Sequence, residues 1–428
     1  METKMERLRF QLERHGKAQG IMSLVDASAL IYVHDKQEIR KAKGVDGESK
    51  ATYEAHLSEN IADLVRRLKA FQYRPKPVRR AYIPKLDGRL RPLGIPAYED
   101  RLVQGAMSII LNEIYERLFL DCSYGFRPGR GCHDAVKFIN DTVMRSQVNW
   151  VVEADIKGFF DHVDHDMLMK MLANDIQDKN FLRYVKRFLI AGVLENGVFS
   201  KSEEGTPQGG LISPILANVY LHYALDTWIM YVVKPRCRGA IYYVRYADDF
   251  VLLFQYEDEA RNFLEALKKR LERFSLQLAE EKTRIFPFGR RAGKKEEFDF
   301  LGFTFYNTET RKGAYRVGLR TSMKKLCAKM KAIKDWIQRS MHRPVVPMLK
   351  SLSKKYRGHC QYYGVNGNFK ALTKFKWYIM YITYKTLRRR SQKRKLSFDK
   401  FISMWDPSYL NLESWCKSGN SSNEVEII

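Results

Sequence analysis

Two apolar, β-rich runs at residues 240–246 and 250–254 are joined by a very short connection that contains Asp248 and Asp249. Runs of Val, Leu, Tyr and Phe favour strands, and parallel neighbours would need a much longer crossover. Two adjacent carboxylates at a tight turn repel each other unless a cation lies between them. The segment therefore predicts an antiparallel hairpin with concentrated negative charge at its tip.

A third carboxylate, Asp155, follows another β-rich apolar run within residues 150–156. A carboxylate in that setting is costly unless it is paired, protonated or bound to metal. Three carboxylates at strand ends suit Mg²⁺, which takes oxygen ligands and retains waters and substrate phosphates. Taken singly, Asp248 and Asp249 also fit turn residues and Asp155 a helix cap. The combination favours two-metal phosphoryl transfer.

The chain is strongly basic, because 75 Lys and Arg against 49 Asp and Glu leave a formal charge of +26 over 428 residues. A polyanion is therefore the expected partner. Residues 336–398 contain many Lys and Arg but no Asp or Glu, which predicts a separate basic carboxy-terminal unit. The aromatic residues among these cations fit two interpretations, stacking on unpaired bases and packing in a helical core.

Several protein classes are disfavoured. The longest nearly apolar stretch, at 211–233, contains Asn218, His222 and Asp226 and is too polar for a membrane-spanning helix. The six cysteines form no C-x-x-C pair, so we expect free thiols rather than a zinc module or a disulfide framework. The amino terminus lacks the apolar core of a secretory signal. We therefore expect a cytoplasmic protein, of bacterial origin, without a membrane partner.

Helices alternate with short strands in the predicted secondary structure, which indicates an α+β fold. Apolar periodicity predicts helices near 55–71, 101–120, 164–174, 180–190, 212–231, 257–274 and 322–339. Strands are predicted within 150–156, 240–246, 250–254 and 298–306. A polar, Gly-bearing segment at 307–318 predicts a domain seam after Tyr306, and the last dozen residues are expected to be frayed.

The tetrapeptide YADD at 246–249 resembles the catalytic motif of reverse transcriptases. Other segments, in the same order, resemble the blocks of group II intron reverse transcriptases: IPKLDGRLRPLGIP at 83–96, SYGFRPGRGCHDAV at 123–136, EADIKGFFDHV at 153–163, GTPQGGLISPILANVYLHYALD at 205–226, KT at 282–283 and FLGF at 300–303. RGHCQYYGVNGN at 357–368 is similar to that family's X, or maturase, domain, which also forms the polymerase thumb. No H-N-H endonuclease segment follows in this sequence. In this respect the chain resembles the short form of the family, which lacks that domain.

The resemblance implies a right-hand polymerase in which fingers and palm precede a mainly helical thumb. It implies an N-terminal extension at 1–66, fingers and palm at 67–306, and a thumb/X domain at 307–428. Asp155, Asp248 and Asp249 would be the catalytic, metal-binding carboxylates, and the Ile156 carbonyl would be a further ligand. Two Mg²⁺ ions are the implied cofactors, with Mn²⁺ as a substitute.

The same resemblance implies a set of substrate contacts. Lys85 and Arg91 would neutralise the incoming triphosphate on a fingers hairpin, although each alone also fits a solvated cation. Phe160 would lie below the sugar and exclude a 2′-hydroxyl; without the resemblance it is a core aromatic, as Phe159 is expected to be. Gln208 would contact the nascent base pair, and Lys282 would contact a phosphate, although alone they fit a simple loop residue and a surface lysine.

Other expectations concern nearby glycines and histidines, and the basic unit. Gly209 and Gly210 would let the backbone approach the substrate closely. His162 and His165 are expected to be local polar partners rather than ligands. RNA-binding residues are predicted in the basic carboxy-terminal unit: Lys354, Lys355, Arg357, Lys374, Lys376, Arg388, Arg389, Arg390, Lys393, Arg394 and Lys395.

The implied function is RNA-directed DNA polymerisation, in which deoxynucleoside triphosphates extend a DNA or RNA primer on an RNA template. The resemblance also implies binding of intron RNA during splicing and of target DNA during retrohoming. Two alternatives stay open. One is a splicing factor with a vestigial polymerase site; the other is a domesticated or CRISPR-associated reverse transcriptase in defence or repair.

Overall fold

A computed structural model describes residues 2–84, 88–206, 209–293, 295–390 and 396–404. The predicted site residues Lys85, Gln208, Lys393, Arg394 and Lys395 lie outside the described residues, as does the segment expected to be frayed. The chain forms two compact units. The first comprises residues up to Thr142 together with Ser146–Phe286, and the second comprises Val143–Arg145 and the chain from Pro287 onwards.

The first unit combines helices with two four-stranded sheets. Its helices are α1 (Glu2–His15), α2 (Ala27–Lys36), α3 (Lys50–Glu54), α4 (Leu57–Lys69), α5 (Tyr98–Tyr115), α6 (Cys132–Arg145), α7 (His165–Asp175), α8 (Lys179–Leu189), α9 (Ser213–Leu221) and α10 (Glu257–Glu272). Its strands are β1 (Val78–Pro84), β2 (Leu90–Ile95), β3 (Trp150–Ala154), β4 (Val193–Glu195), β5 (Val198–Ser200), β6 (Ile241–Tyr246), β7 (Asp249–Phe254) and β8 (Arg284–Pro287). Val143–Arg145 of α6 and Pro287 of β8 group with the second unit.

Helix α8 illustrates how local sequence determines these elements. Phe181, Tyr184, Val185 and Phe188 recur at helical spacing and are all buried. The Asp178 carboxylate caps the helix, because it accepts hydrogen bonds from the Asn180 and Phe181 amides at 2.9 and 3.1 Å. The helix thus has a definite start and one apolar face that packs into the core.

The first sheet has the strand order β6-β7-β3-β8, and its register determines where the acidic residues lie. Strands β6 and β7 are antiparallel, with Tyr246 opposite Asp249. Strand β3 is antiparallel to β7, and its last residue, Ala154, lies opposite Phe250. Continued by one residue, the same register sets Asp155 opposite Asp249.

The second sheet has the order β2-β1-β4-β5. Strands β1 and β2 form an antiparallel hairpin in which Arg91 lies opposite Ile83, while β1 and β4 are parallel. This is the hairpin that carries Arg91 and leads to Lys85.

The long helix predicted at 212–231 is modified in the structure. Helix α9 ends at Leu221, and the chain continues through π-helical turns at His222–Asp226 and Ile229–Val233. Such turns widen a helix locally and are frequent beside functional sites. Within the described residues, no helix is both long and apolar enough to cross a bilayer.

The second unit packs a three-stranded sheet with helices. It contains β9 (Glu297–Phe300), β10 (Phe303–Glu309), β11 (Tyr315–Thr321), α11 (Met323–Arg339), α12 (Val345–Tyr363), α13 (Phe369–Arg388) and α14 (Phe398–Met404). Its sheet has the order β11-β10-β9. The helices enclose a core that includes Leu349, Leu352, Leu372, Phe375 and Ile379.

One local prediction in this region was wrong. The single strand predicted at 298–306 is two antiparallel strands, because Leu301 and Gly302 adopt φ of 51° and 80° and turn the chain back. The polar segment at 307–318 is mostly part of a hairpin between β10 and β11. Its polar residues occupy strand positions and the hairpin turn. The predicted domain limits at 66/67 and 306/307 stay predictions.

Candidate active site

The turn between β6 and β7 brings Ala247 and Asp248 to the hairpin tip. Ala247 has φ of 57°, a conformation that residues other than glycine rarely adopt. The backbone of Gly125 packs directly against this turn, since a Cβ atom on Gly125 would lie 2.4 Å from the Ala247 amide nitrogen. Strained backbone of this kind persists only where its surroundings hold it in place. Gly125 is one part of that support.

A buried ion pair provides the other part. The guanidinium of Arg245 donates to both carboxylate oxygens of Asp226 at 2.7 and 2.6 Å, and neither side chain is exposed. Arg245 also donates to the Ala247 carbonyl at 3.0 Å and to the Asn218 side chain at 2.9 Å. Asn218 in turn donates to the Gly125 carbonyl at 2.7 Å. The network therefore joins the segment of Gly125 to the turn between β6 and β7.

The sequence pattern did not predict this network. Asn218 and Asp226 indicated only that the stretch at 211–233 is too polar for a membrane helix. The available signal was the position of a charged residue, Asp226, within an otherwise apolar stretch, together with Arg245 within a β-rich run. Buried charges are rare unless they are paired, so each predicts a partner of opposite charge.

Asp248 and Asp155 influence each other electrostatically. The pKa of Asp248 is raised, first by its burial and then by the negative charge of Asp155. A backbone hydrogen bond and the positive charges of Arg91 and Lys282 oppose this rise in pKa. Two of the predicted metal-binding carboxylates and two of the predicted phosphate-binding cations therefore share one site.

Lys282 contacts the carboxylate of Asp155 directly. Its ammonium donates a hydrogen bond to Asp155 Oδ2. This bond is the largest cause of the raised pKa of Lys282, and the charge of Asp249 raises that pKa further. Backbone pairing positions the lysine, because the Ala279 amide donates to the Asp155 carbonyl at 2.8 Å and the Lys282 amide to the Ala279 carbonyl at 3.0 Å. In this state Lys282 is a counter-ion of Asp155.

The donor set suits a divalent cation bound together with a substrate. Within the described ranges, no three His, Cys, Asp or Glu side chains lie close enough together to enclose a metal ion by themselves. Mg²⁺ is usually held by one or two carboxylates, waters and substrate phosphates, so such a cage is not required. The charge of Asp155 raises the pKa of Asp248, and the Lys282 ammonium pairs with Asp155. Both observations indicate a place where positive charge is favourable.

Phe160 lies beside the loop that contains the TPQGG segment. Its ring is half-buried and meets Phe159 edge-on at 5.3 Å between centroids, and Phe159 is a core residue, as predicted. The Phe160 carbonyl accepts a hydrogen bond from the Thr206 amide at 2.8 Å. A Cβ atom on Gly205 would lie 2.9 Å from that carbonyl. Gly205 and Thr206 thus hold the backbone of Phe160 in place, while part of the side chain stays accessible to solvent.

Gly209 closely approaches another segment of the protein, and its expected approach to substrate stays a prediction. Gly209 has φ of 118°, and a Cβ atom there would lie 2.6 Å from the Gly94 carbonyl of β2. Arg91 is exposed on the same strand. Gly205 and Thr206 therefore pack against the segment of Phe160, whereas Gly209 packs against the hairpin that carries Arg91.

The two histidines near this loop have local structural partners, as predicted. His165 Nε2 donates to the Gly205 carbonyl at 2.6 Å. His162 Nδ1 lies 3.4 Å from the Glu204 carboxylate. Both contacts hold the loop against the segment after Phe160. The described cysteines form no disulfide bond, as expected.

The second unit presents the predicted RNA-binding cations mostly at its surface. Exposed are Lys354, Lys355, Arg357, Lys374, Arg388, Arg389 and Arg390, whereas Lys376 is half-buried. The aromatic residues between them divide into two groups. Tyr356 and Phe375 belong to the core, while Trp377 and Tyr381 are more than half exposed. The core interpretation is therefore correct for Tyr356 and Phe375, whereas stacking on bases stays a prediction for Trp377 and Tyr381.

Comparison with known proteins agrees with this arrangement. Residues 83–305 match the family described as "Reverse transcriptase (RNA-dependent DNA polymerase)". The chain is 31% identical over 460 residues to group II intron-encoded protein LtrA of Lactococcus lactis subsp. cremoris, covering 88% of this chain and 75% of that protein. It is 35% identical over 310 residues to protein YkfC of Escherichia coli strain K12, covering 64% and 78%. A 91 kDa protein in the cob intron of Schizosaccharomyces pombe is 36% identical over 206 residues, which cover 48% and 25%.

Proposed function

Because the chain belongs to the group II intron-encoded reverse transcriptases, we propose that Asp155, Asp248 and Asp249 hold its two Mg²⁺ ions. It is an RNA-directed DNA polymerase of mixed α and β structure, and its partners include nucleic acid. The observation that carries the site assignment is the register of β3 and β7. That register sets Ala154 opposite Phe250, so that Asp155 and Asp249 are the next residues at the same end of the two strands, while Asp155 raises the pKa of Asp248.

The reaction joins a primer 3′-hydroxyl to the α-phosphate of a deoxynucleoside triphosphate and releases pyrophosphate. When bound, the two ions stabilise the attacking and the leaving oxygens during in-line displacement. Asp155 and Asp248 orient the ions from the ends of two adjacent strands. The Ile156 carbonyl, which follows Asp155 along the chain, is proposed as a further ligand.

The remaining residues orient the nucleotide and the template. Arg91 and Lys85 bind the triphosphate, and Gln208 contacts the nascent base pair. The Phe160 ring lies below the sugar, where a 2′-hydroxyl would collide with it. Lys282 leaves Asp155 when positive charge arrives there and then contacts a phosphate of the nucleotide.

Primer extension on an annealed RNA template, with Mg²⁺ and deoxynucleotides, tests the assignment. Asp248→Ala should abolish extension while leaving the thermal unfolding midpoint close to that of the wild type. Asp258→Ala is the matched control. Asp258 lies on helix α10, and its exposed carboxylate pairs with Arg238 at 2.8 Å. Undiminished extension by Asp248→Ala would refute the site. Loss of extension in the control would show a general effect of removing acidic charge.

We propose a second function, binding of the parent intron RNA to assist splicing and retrohoming. It is supported by the acid-free composition of residues 336–398 and by the exposure of most of their described cations. A splicing assay with Asp155→Ala separates this function from polymerisation. Splicing that survives in this variant indicates an independent role. Loss of both activities would contradict separable functions.

A further inference from the structure

Helix α13 exposes two large aromatic rings on its outer side. Trp377 and Tyr381 are 58% and 56% exposed, although the same helix buries Leu372, Phe375 and Ile379 in the core of its unit. Leaving this much apolar surface in water costs free energy at about 25 cal/mol per Å². A core function cannot account for the two rings, because both lie away from the buried face.

Four cations lie on the same side of the helix as these rings. At 100° per residue, Lys370, Lys374, Lys385 and Arg388 fall within one narrow stripe with Trp377 and Tyr381. All four are exposed, and the Lys385 ammonium lies 5.9 Å from the centre of the Tyr381 ring. With a rise of 1.5 Å per residue, the stripe is about 27 Å long, and its two rings are about 6 Å apart along the axis. We call these six residues the α13 outer face.

The composition of the α13 outer face distinguishes it from two simpler kinds of surface. A face that docks against an apolar protein surface is normally depleted of charge. The α13 outer face instead has two cations before its aromatic residues, Lys370 and Lys374, and two after them, Lys385 and Arg388. A face that bound only phosphates would have no need for exposed rings. Helix α12 provides that comparison, since Lys350, Lys354 and Arg357 are exposed at helical spacing and the one aromatic residue between them, Tyr356, is buried.

We propose that the α13 outer face binds an unpaired segment of RNA. Bases stack on Trp377 and Tyr381, while phosphates of the same segment contact the lysines and the arginine on either side. Duplex RNA offers this surface only phosphates and sugars, because its bases are already stacked on one another. The proposal deepens and rests on the proposed RNA-binding function. Under this proposal, the protein has a site for unpaired RNA in addition to the polymerase site proposed for the first unit.

The test measures binding of the full-length protein to two labelled RNAs, an unstructured strand of about 12 nucleotides and a duplex of equal length. A saturating amount of unlabelled primer–template occupies the polymerase site throughout. Loss of a base–aromatic stack costs about 1–3 kcal/mol, so Trp377→Ala with Tyr381→Ala should weaken binding of the unpaired strand by at least about 10-fold. Binding of the duplex should change less than about 2-fold.

Salt dependence distinguishes the roles of the rings from those of the cations. The double aromatic variant should keep the wild-type slope of log affinity against log salt, because it removes no charge. Lys374→Gln with Lys385→Gln should make that slope shallower by about 1.4, at about 0.7 per neutralised phosphate. Phe369→Ala is the matched control, because this residue is 54% exposed on the same helix but lies about 100° from the stripe. Its RNA binding should be unchanged.

Equal losses on the unpaired and duplex RNAs, or no loss on either, would overturn the proposal. Primer extension on a short duplex is measured in parallel for every variant. Extension that falls in step with binding would assign the face to the primer–template and also overturn the proposal. If the wild type bound RNA as expected but extended no primer, the proposed polymerase site would fail while the α13 outer face would stand.

Discussion

The carboxylate of Asp226 is fully buried and accepts two hydrogen bonds from the equally buried guanidinium of Arg245. Asp226 lies in the π-helical turns that follow α9, whereas Arg245 lies in β6, two residues before the turn at Ala247 and Asp248. The charge of Asp226 raises the pKa of Arg245 further above its ordinary value, against the effect of burial. The Arg245 guanidinium therefore remains charged and connects a helix of the core to the Ala247 carbonyl.

Removing one member of this pair should be far more harmful than replacing both. Asp226→Leu alone leaves a buried, unpaired guanidinium and should reduce the free energy of unfolding by about 3–5 kcal/mol. Adding Arg245→Met should recover much of that loss, because apolar residues can replace a buried ion pair. The double variant should still extend primers slowly, since the Ala247 carbonyl has lost its donor. Urea unfolding and primer extension measure the two effects separately.

Gly125 should be essential for the geometry of the turn between β6 and β7, which carries the proposed catalytic Asp248. In Gly125→Ala, the new methyl group would collide with the Ala247 amide and displace the carboxylates. Displacement by about 1 Å can reduce the rate about 100-fold, so kcat should fall by about that factor. Gly358→Ala is the control, because a Cβ atom on Gly358 meets nothing within 4 Å. A Gly125→Ala enzyme with wild-type kcat would show that the turn tolerates the contact.

Much of the site follows from residue pattern, because the relevant contacts are local. The hairpin of β6 and β7 and the strand before Asp155 have strong β periodicity, and the structure has both elements. By contrast, the support provided by Gly125 and Asp226 depends on segments far apart in the chain. A pattern confined to one segment carries no information about which distant segment packs against it. For the same reason, no pattern predicted that Lys282 would contact Asp155.

The errors in secondary structure also have physical causes. Residues 297–309 are apolar enough for one long strand, but Leu301 adopts φ of 51° at a tight turn. Leucine is not a typical residue for that conformation, so no turn signal was present at Leu301 itself. The π-helical turns after α9 likewise result from tertiary packing, in which the wider turn places Asp226 against Arg245. Helix α1 was not predicted, because its apolar residues are sparse; helix α6 was also not predicted, although Ala135, Val136, Ile139 and Val143 recur at helical spacing and are buried.

Substitution of Phe160 should alter sugar selection without unfolding the protein. In Phe160→Ala, the half-buried ring is lost and a 2′-hydroxyl no longer collides with it. Discrimination against ribonucleotides should fall at least about 10-fold, equivalent to about 1.4 kcal/mol in the relative barrier. This discrimination is measured as the ratio of kcat/KM for the deoxyribonucleotide to kcat/KM for the matching ribonucleotide. Phe159→Ala is the comparison, because it should lower stability by about 3–5 kcal/mol and leave discrimination unchanged.

The stability of the second unit should depend on pH through His359. Its ring is buried between Tyr363 and Phe375, at centroid distances of 4.7 and 4.3 Å. Burial, and then the charge of Lys329, lowers the pKa of His359 from 6.5 to about 4. Below pH 6.5 the unfolded chain therefore binds a proton that the folded chain excludes, and stability falls until about pH 4.

Between pH 7 and pH 5, this histidine should account for about 2 kcal/mol of lost stability. His359→Phe retains an aromatic ring between its neighbours and removes the titration. Urea unfolding of both proteins at the two pH values gives the difference directly. If the variant loses as much stability as the wild type over this range, His359 is not the titrating group.

Lys282 should weaken metal binding in the absence of nucleotide, because its ammonium is paired with Asp155. Lys282→Gln removes that competing charge. Binding of Mn²⁺ to the free protein, followed by electron paramagnetic resonance, should therefore become several-fold tighter. The same variant loses a proposed charge-assisted contact to a phosphate, worth about 1.5–3 kcal/mol. Its kcat/KM for the nucleotide should fall by about 10- to 100-fold.

These opposite changes distinguish a counter-ion from a purely structural lysine. Lys268→Gln is the matched control, because Lys268 lies in the same region but pairs with Glu280 at 3.3 Å. It should change neither measurement. A Lys282→Gln protein that bound both Mn²⁺ and nucleotide less tightly would indicate that the lysine only maintains the local structure. If Mn²⁺ binding became tighter while kcat/KM stayed unchanged, Lys282 would have a role only in the metal-free protein. Its proposed phosphate contact would then be excluded.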